Sequence, residues 1–175
     1  IKKIHKIKQN KYSEIVKSGS IPLRTGVSRL LDELNKNNIE QWIVTTSGLD
    51  AVNSLINSTL SSKKYYFKGY ITSEDVKSHK PSPDAYLQAL LRSNCETTDC
   101  IAIEDSEIGL QSAHAAGLKC LISISPWSKF QLKKYNLAES IVNTLGDDHN
   151  QSIFYTFHDL NTKYIDLNFL NSLLK

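Results

Sequence analysis

At 175 residues, with 40% hydrophobic and 22% charged residues, the composition is that of one globular domain rather than of a disordered chain. A formal net charge of +3 is too small to argue for a nucleic acid or an anionic membrane, and it is compatible with an acidic small-molecule substrate. No apolar run approaches the ~18 residues of a membrane span, and the three cysteines, Cys95, Cys100 and Cys120, form neither a metal-spaced pair nor a disulfide framework.

Ile1 to about Gly19 reads as a basic helix with apolar residues at Ile4, Ile7, Tyr12, Ile15 and Val16. "IPLRTG" reads as a connector, followed by an amphipathic helix on which Val27, Leu30, Leu31 and Leu34 share a face. "WIVTTS", Trp42 to Ser47, is expected to be a short buried strand closing in hydroxyls, and Leu49 to Leu60 resumes helical spacing. "FKGYIT" is a second, weaker strand. In "SHKPSPDAYLQALLRS" the spacing predicts a helix with Ser82 as N-cap, Pro83 at its first position and Asp84 beside its positive end. "CIAIED" is a third strand, and the helix after it stops at Gly117. Along that helix Gly109, Ser112, Ala113 and Ala116 form a small-residue side for close packing. "KCLISIS" is a fourth strand and "SIVNTL" a fifth. The polar stretch from Asp147 to Asn161 reads as loop, before a last helix near Leu167 to Leu174.

Short apolar strands alternating with helices predict an α/β fold, a doubly wound, Rossmann-like parallel sheet with helices on both faces. Sites in such sheets form beyond the C-terminal ends of the strands. Strand one delivers Thr45, Thr46 and Ser47 there, and strand three delivers Glu104 and Asp105. Lys80 lies on the loop before the Ser-Pro-started helix.

Each piece has an ordinary reading. Hydroxyls after a strand are commonly turn or cap residues. An acidic pair before a helix is commonly a cap, and a lone lysine is commonly solvated. Together they suit a phosphate and a divalent metal. Mg²⁺ takes one or two carboxylates completed by water and phosphate oxygens, so Glu104 and Asp105 are candidate ligands. The Thr45 hydroxyl and the Thr46 amide can donate to a phosphoryl oxygen, and Lys80 can hold an anion as a point charge.

"WIVTTS", "HKPSPDAY" and "IAIEDSEIGLQSAHAAGLKC" resemble motifs two, three and four of the haloacid dehalogenase (HAD) superfamily. The resemblance runs from about Leu23 to Ser125 and is closest to the branch with a helical cap, the beta-phosphoglucomutase and CbbY-like proteins. It implies residues 1–20 as the end of a cap domain with its linker, and 21–175 as the α/β core. It implies Thr45 and the Thr46 amide as phosphate ligands, Lys80 as the motif-three catalytic lysine, and Glu104 and Asp105 as Mg²⁺ ligands. Lys8, four residues before Tyr12, matches a cap lysine that meets substrate, and it also reads as one more solvated charge on a basic helix. Arg24 sits in the connector with an expected structural role.

Two features depart from the family pattern. His79 stands where many relatives have glycine. The first motif, Asp-x-Asp-x-Thr, is nowhere in this chain, in which no aspartate is followed by another two positions on. In relatives the first of those aspartates attacks phosphorus and the second is general acid and base. The chain lacks methionine and begins at Ile1, so it is expected to be a fragment or processed product of something longer. The function so implied is a Mg²⁺-dependent phosphatase acting on a small phosphorylated sugar, of pentose bisphosphate type by the CbbY likeness. An aspartyl-phosphate would form on a residue upstream. The alternatives are a sugar phosphomutase and a truncated, non-catalytic binding domain. The expected state is a monomer in the cytoplasm, or in a plastid stroma for a photosynthetic source.

Overall fold

The structure, a computed structural model, describes Lys11, Ile15, Val16 and residues 21–127, 131–156 and 162–175. Helix α1, Val27–Lys36, starts from Gly26, whose φ of 85° is in the left-handed region that glycine enters without a steric cost. A side chain there has no room, because a Cβ would lie 2.6 Å from the backbone of both Leu145 and Gly146. Strand β1, Gln41–Val44, leads to α2, Leu49–Thr59. A 3₁₀ segment over Ser61–Tyr66 precedes β2, Phe67–Ile71, and then α3, Asp84–Ser93. Strand β3, Ile101–Glu104, leads to α4, Glu107–Ala115, followed by β4, Lys119–Ser123, and β5, Ser140–Val142. Helix α5, Leu167–Leu174, closes the chain, with the Asp166 carboxylate accepting the Phe169 N–H as its cap.

Local boundaries differ from the sequence expectation in two places that matter for the site. The first strand ends at Val44, three residues before Ser47. Thr45 N–H still reaches the Ile71 carbonyl at 2.9 Å, but the Ser47 N–H turns back onto Thr45 Oγ1 at 3.1 Å, so the hydroxyl run forms a turn. The helix after "KPSP" begins one residue late. Pro83 occupies the cap position and Ser82 Oγ donates to the Asp84 carboxylate at 2.6 Å, leaving the hydroxyl unused as a helix cap. By contrast Ser106 does cap α4, accepting the Gly109 N–H at 3.2 Å, and Gly117 follows that helix at φ 81°.

Among the described residues the five strands pair in parallel, as expected for short apolar strands alternating with helices, with one isolated antiparallel bridge from Val142 to Phe154, but they form two sheets where the pattern suggested one. β1 pairs with β2, and β3, β4 and β5 pair in that order. The facing edges of β1 and β3 share no ladder. They line a groove of about 500 Å³, bordered by Gln41, Trp42 and Val44 on one side and Ile101, Ala102 and Ile103 on the other.

Side-chain alternation divides the core between the two faces of the sheets. From β4, Cys120 and Ile122 enter one cluster with Leu110, Ala113 and Tyr86, whereas Leu121 enters another with Leu30, Val142 and Leu170. From β1, Ile43 packs toward Val52 and Ile56, and Val44 toward Ile71 and Ala85. Helices α3 and α4 therefore cover one side, and α1, α2 and α5 the other. The small-residue side of α4 packs as expected: Ala113 and Ser112 are fully buried, and Ser112 Oγ donates to the Ser82 carbonyl at 2.6 Å. Most of residues 1–20, the expected end of a cap, lies outside the described residues.

Candidate active site

The C-terminal ends of β1 and β3 come together through one side chain. Lys80 Nζ donates to the Val44 carbonyl at 2.9 Å and to Glu104 Oε1. Val44 is the residue before Thr45 and Glu104 the residue before Asp105, so this contact gathers the three segments singled out from the sequence. The Lys80 and Glu104 side chains are only 7% and 10% exposed. A buried charge needs a partner of opposite sign and hydrogen bonds for its remaining capacity. The Glu104 carboxylate also accepts from the Tyr86 hydroxyl, and the Lys80 ammonium lies 4.8 Å from the centre of the Tyr86 ring. Lys80 precedes a cis peptide to Pro81.

Helix α4 makes room for this cluster. A Cβ at Gly109 would stand 2.9 Å from Glu104 Oε1 and closer still to Oε2 and Cδ, so the carboxylate occupies the space a side chain would take. The electrostatics agree with a dry, negative environment. Burial, and then the Glu104 charge, push the Tyr86 hydroxyl well above its ordinary value. Cys120 is pushed up to about 12 by burial and Glu104, with Lys80 pulling the other way.

The remaining predicted residues are less enclosed. Asp105 is exposed, and its backbone carbonyl accepts from the Ser125 N–H at 3.4 Å. Thr46 is exposed in the turn after β1, and Thr45 is partly buried. Lys8 lies outside the described residues. Among the described residues, no three or more His, Cys, Asp or Glu side chains gather as a metal cluster. The donor chemistry nevertheless fits part of a Mg²⁺ site, because that ion takes few carboxylates and completes its shell with water and phosphate oxygens. Asp105 is the accessible carboxylate of the pair, and Glu104 is engaged by Lys80 and Tyr86.

Sequence reasoning missed Tyr86. It stands within the quoted "HKPSPDAY", one helical turn past Pro83, and the signal was a phenol entering an otherwise apolar helix face. Arg24 has the structural role expected. It donates to three carbonyls, Ser123 at 2.9 Å and Ile124 and Asn143 at 2.6 Å each, and so ties the connector to the ends of β4 and β5. Burial lowers its affinity for the proton and the Asp105 charge partly restores it.

A parallel α/β core with lysine, carboxylate and hydroxyl groups at its strand ends is the fold of the HAD proteins, and residues 1–123 match the family described as haloacid dehalogenase-like hydrolase. The chain belongs to this family, in its CbbY/beta-phosphoglucomutase branch. It is 35% identical to Protein CbbY of Rhodobacter capsulatus over 127 residues, which is 72% of this chain and 56% of that protein. The crystal structure of CbbY from Rhodobacter sphaeroides in complex with xylulose-(1,5)bisphosphate has a TM-score of 0.74 at 27% identity, covering 81% of this chain and 63% of that one. A family IA HAD hydrolase from Entamoeba histolytica shares the fold over 99% of this chain and 70% of its own, with a TM-score of 0.77 and 24% identity. The chain thus spans about half the length of the curated CbbY relatives it matches, 56% and 50% of two of them. No helix among the described residues is long and apolar enough to cross a membrane.

Proposed function

We propose that this chain is the larger part of the catalytic core of a Mg²⁺-dependent phosphatase for a small phosphorylated sugar, a pentose bisphosphate first among the candidates. The observation that carries the reading is the convergence of Lys80 on Val44 and Glu104 where two strands end. Lys80 presents its ammonium to a phosphoryl oxygen, and Glu104 fixes its position. Thr45 Oγ1 and the Thr46 amide donate to the same group as charge develops on it. Asp105, with Glu104 beside it, would hold Mg²⁺, which supplies charge neutralisation to the phosphoryl group.

Covalent catalysis splits the displacement in two. A carboxylate oxygen forms a bond to phosphorus while the sugar oxygen leaves and is protonated, and water then releases phosphate. Both aspartates this needs would come from a segment outside residues 1–175, because no Asp-x-Asp pair occurs here. The substrate class is supported by the sugar bisphosphate bound to the CbbY relative.

The test is phosphate release from xylulose and ribulose bisphosphates and a panel of monophosphates with Mg²⁺. A longer protein carrying the Asp-x-Asp segment is expected to turn over, residues 1–175 alone to show nothing above background, and Lys80→Met in the longer protein to lose at least ~100-fold in kcat/KM, the scale of removing one oxyanion-stabilising donor. Mg²⁺-dependent release by residues 1–175, or full activity in Lys80→Met, would overturn the reading.

A further inference from the structure

We infer that Glu74, on the loop after β2, is a positioning residue for the phosphoryl-binding turn that follows β1. The inference rests on the phosphatase reading and adds to it a residue outside the cluster around Lys80. The turn runs from Thr45 to Gly48 and carries both oxyanion donors, the Thr45 hydroxyl and the Thr46 amide. Its backbone is fixed from the side of β2. The Thr45 N–H donates to the Ile71 carbonyl at 2.9 Å, and the Ser47 carbonyl accepts the Ser73 N–H at 3.0 Å. Within the turn the Ser47 N–H donates to Thr45 Oγ1 at 3.1 Å. A hydroxyl has a single proton, so Thr45 keeps its O–H for a partner elsewhere. Among the described residues the Thr46 N–H has no acceptor.

Glu74 closes this turn from the side of α2. That helix begins at Leu49 after Gly48, which has no side chain to cap it, and the first N–H groups of a helix have no partner within it. Glu74 Oε1 accepts the Leu49 N–H at 3.1 Å, from 25 positions along the chain. A carboxylate is well placed there, at the positive end of the helix. It also takes the space beside Gly48, where a Cβ would stand 2.9 Å from the same oxygen. One carboxylate oxygen thus holds the residue after the turn and packs on the turn's last residue.

Glu74 is exposed, so its grip depends on what holds its own backbone. Its N–H donates to Thr72 Oγ1 at 3.3 Å, and Thr72 is buried. The Thr72 N–H and hydroxyl each donate to Asp75 Oδ2 at 2.8 Å, and Arg92 on α3 donates to Asp75 Oδ1 at 2.7 Å. The loop is therefore a bracket fastened to α3, the helix that also brings Tyr86 to Glu104. Turn and lysine cluster are referenced to one frame. Misplacing reacting groups by about 1 Å can cost ~100-fold in rate, so a bracket on the donors' turn bears on the reaction as well as on the helix.

The experiment measures kcat and KM for xylulose bisphosphate with Mg²⁺ in the longer protein carrying the Asp-x-Asp segment. Glu74→Ala removes the acceptor, and Glu74→Gln keeps an oxygen in the same place. The alanine variant is expected to lose ~10–100-fold, mostly in kcat, and the glutamine variant to stay within ~3-fold of the parent. In a Thr45→Val background the same alanine substitution should cost no more than ~3-fold, because the donor it aims is gone. A cap that only stabilises α2 would lower Tm and cost the same factor in both backgrounds. Equal losses in both backgrounds, an alanine variant as active as the parent, or a glutamine variant as poor as the alanine one would each overturn the inference and leave the phosphatase reading standing. An inactive parent would overturn that reading, and the inference with it.

Discussion

Replacing Gly109 by alanine sets a helix preference against a buried ion pair. In an exposed helix interior, glycine to alanine would stabilise the protein by about 1 kcal/mol. Here the new Cβ meets the whole Glu104 carboxylate, 2.9 Å from the farther oxygen. A flexible acid at a surface would swing away at little cost. Lys80 and Tyr86 both donate to Glu104 Oε1, and its side chain is only 10% exposed. Moving it loses hydrogen bonds to charged groups, at about 1.5–3 kcal/mol each. In the extreme it leaves the Lys80 charge buried and unpaired, at about 3–5 kcal/mol.

Setting the helix gain against these losses, Gly109→Ala should destabilise the protein by about 2–4 kcal/mol, a fall in Tm of roughly 5–15 °C for a chain of this size. Denaturant melts of the four proteins in a double-mutant cycle with Glu104→Ala check the cause. Once the carboxylate is gone, the Gly109→Ala step should be neutral or stabilising by up to ~1 kcal/mol. If the loss persists in the Glu104→Ala background, or the single variant is as stable as the parent, the crowding of Glu104 by α4 is not what requires glycine.

Gly26 should be less forgiving than Gly117, although both have positive φ. At Gly26 a Cβ meets backbone at 2.6 Å, which cannot rotate aside, whereas at Gly117 the nearest atom is a Thr97 methyl at 3.6 Å. Gly117→Ala should cost about 1–2 kcal/mol for the left-handed backbone alone, and Gly26→Ala distinctly more in the same denaturant melts. Asp75 should dominate acid sensitivity near the end of β2. The Thr72 N–H, the Thr72 hydroxyl and Arg92 hold its folded-state value down to about 2, below an ordinary carboxylate. Its contribution is therefore present above the unfolded value near ~4 and is lost as pH falls through about 2. Melts between pH 5 and 2 should show Asp75→Asn less stable than the parent at pH 5, with the gap closing toward pH 2.

The sequence carried the strand and helix order because the apolar runs were short and the turn residues unambiguous. Leu49–Thr59 and Leu167–Leu174 fall where their spacing placed them. It did not carry the division into two sheets. Strand pairing is non-local, and nothing in "WIVTTS" or "CIAIED" says whether the two edges meet. The cap at Ser106 was legible as one of two readings of an acidic pair before a helix. The start at Asp84 was misplaced by one residue, because Ser82 gives its hydroxyl to the Asp84 side chain instead of receiving the helix N–H. At the site, Thr45 and Glu104 were legible as polar groups at strand ends, and Lys80 as an amine on the loop between them. That Lys80 is the partner of Glu104, and that Tyr86 shares it, depended on how α3 packs against β3 and was not.

On the proposed reading, Lys80 would meet an incoming anion as half of a zwitterion. Because Glu104 cancels its charge at close range, the pair projects little field beyond its own diameter, and attraction from afar must come from elsewhere on the surface. What the ammonium retains is direction: among the described residues Val44 and Glu104 take two of its three N–H bonds and aim the third. Recognition of that kind responds to misalignment of a fraction of an ångström and is nearly indifferent to ionic strength, the reverse of a lysine standing free in solvent.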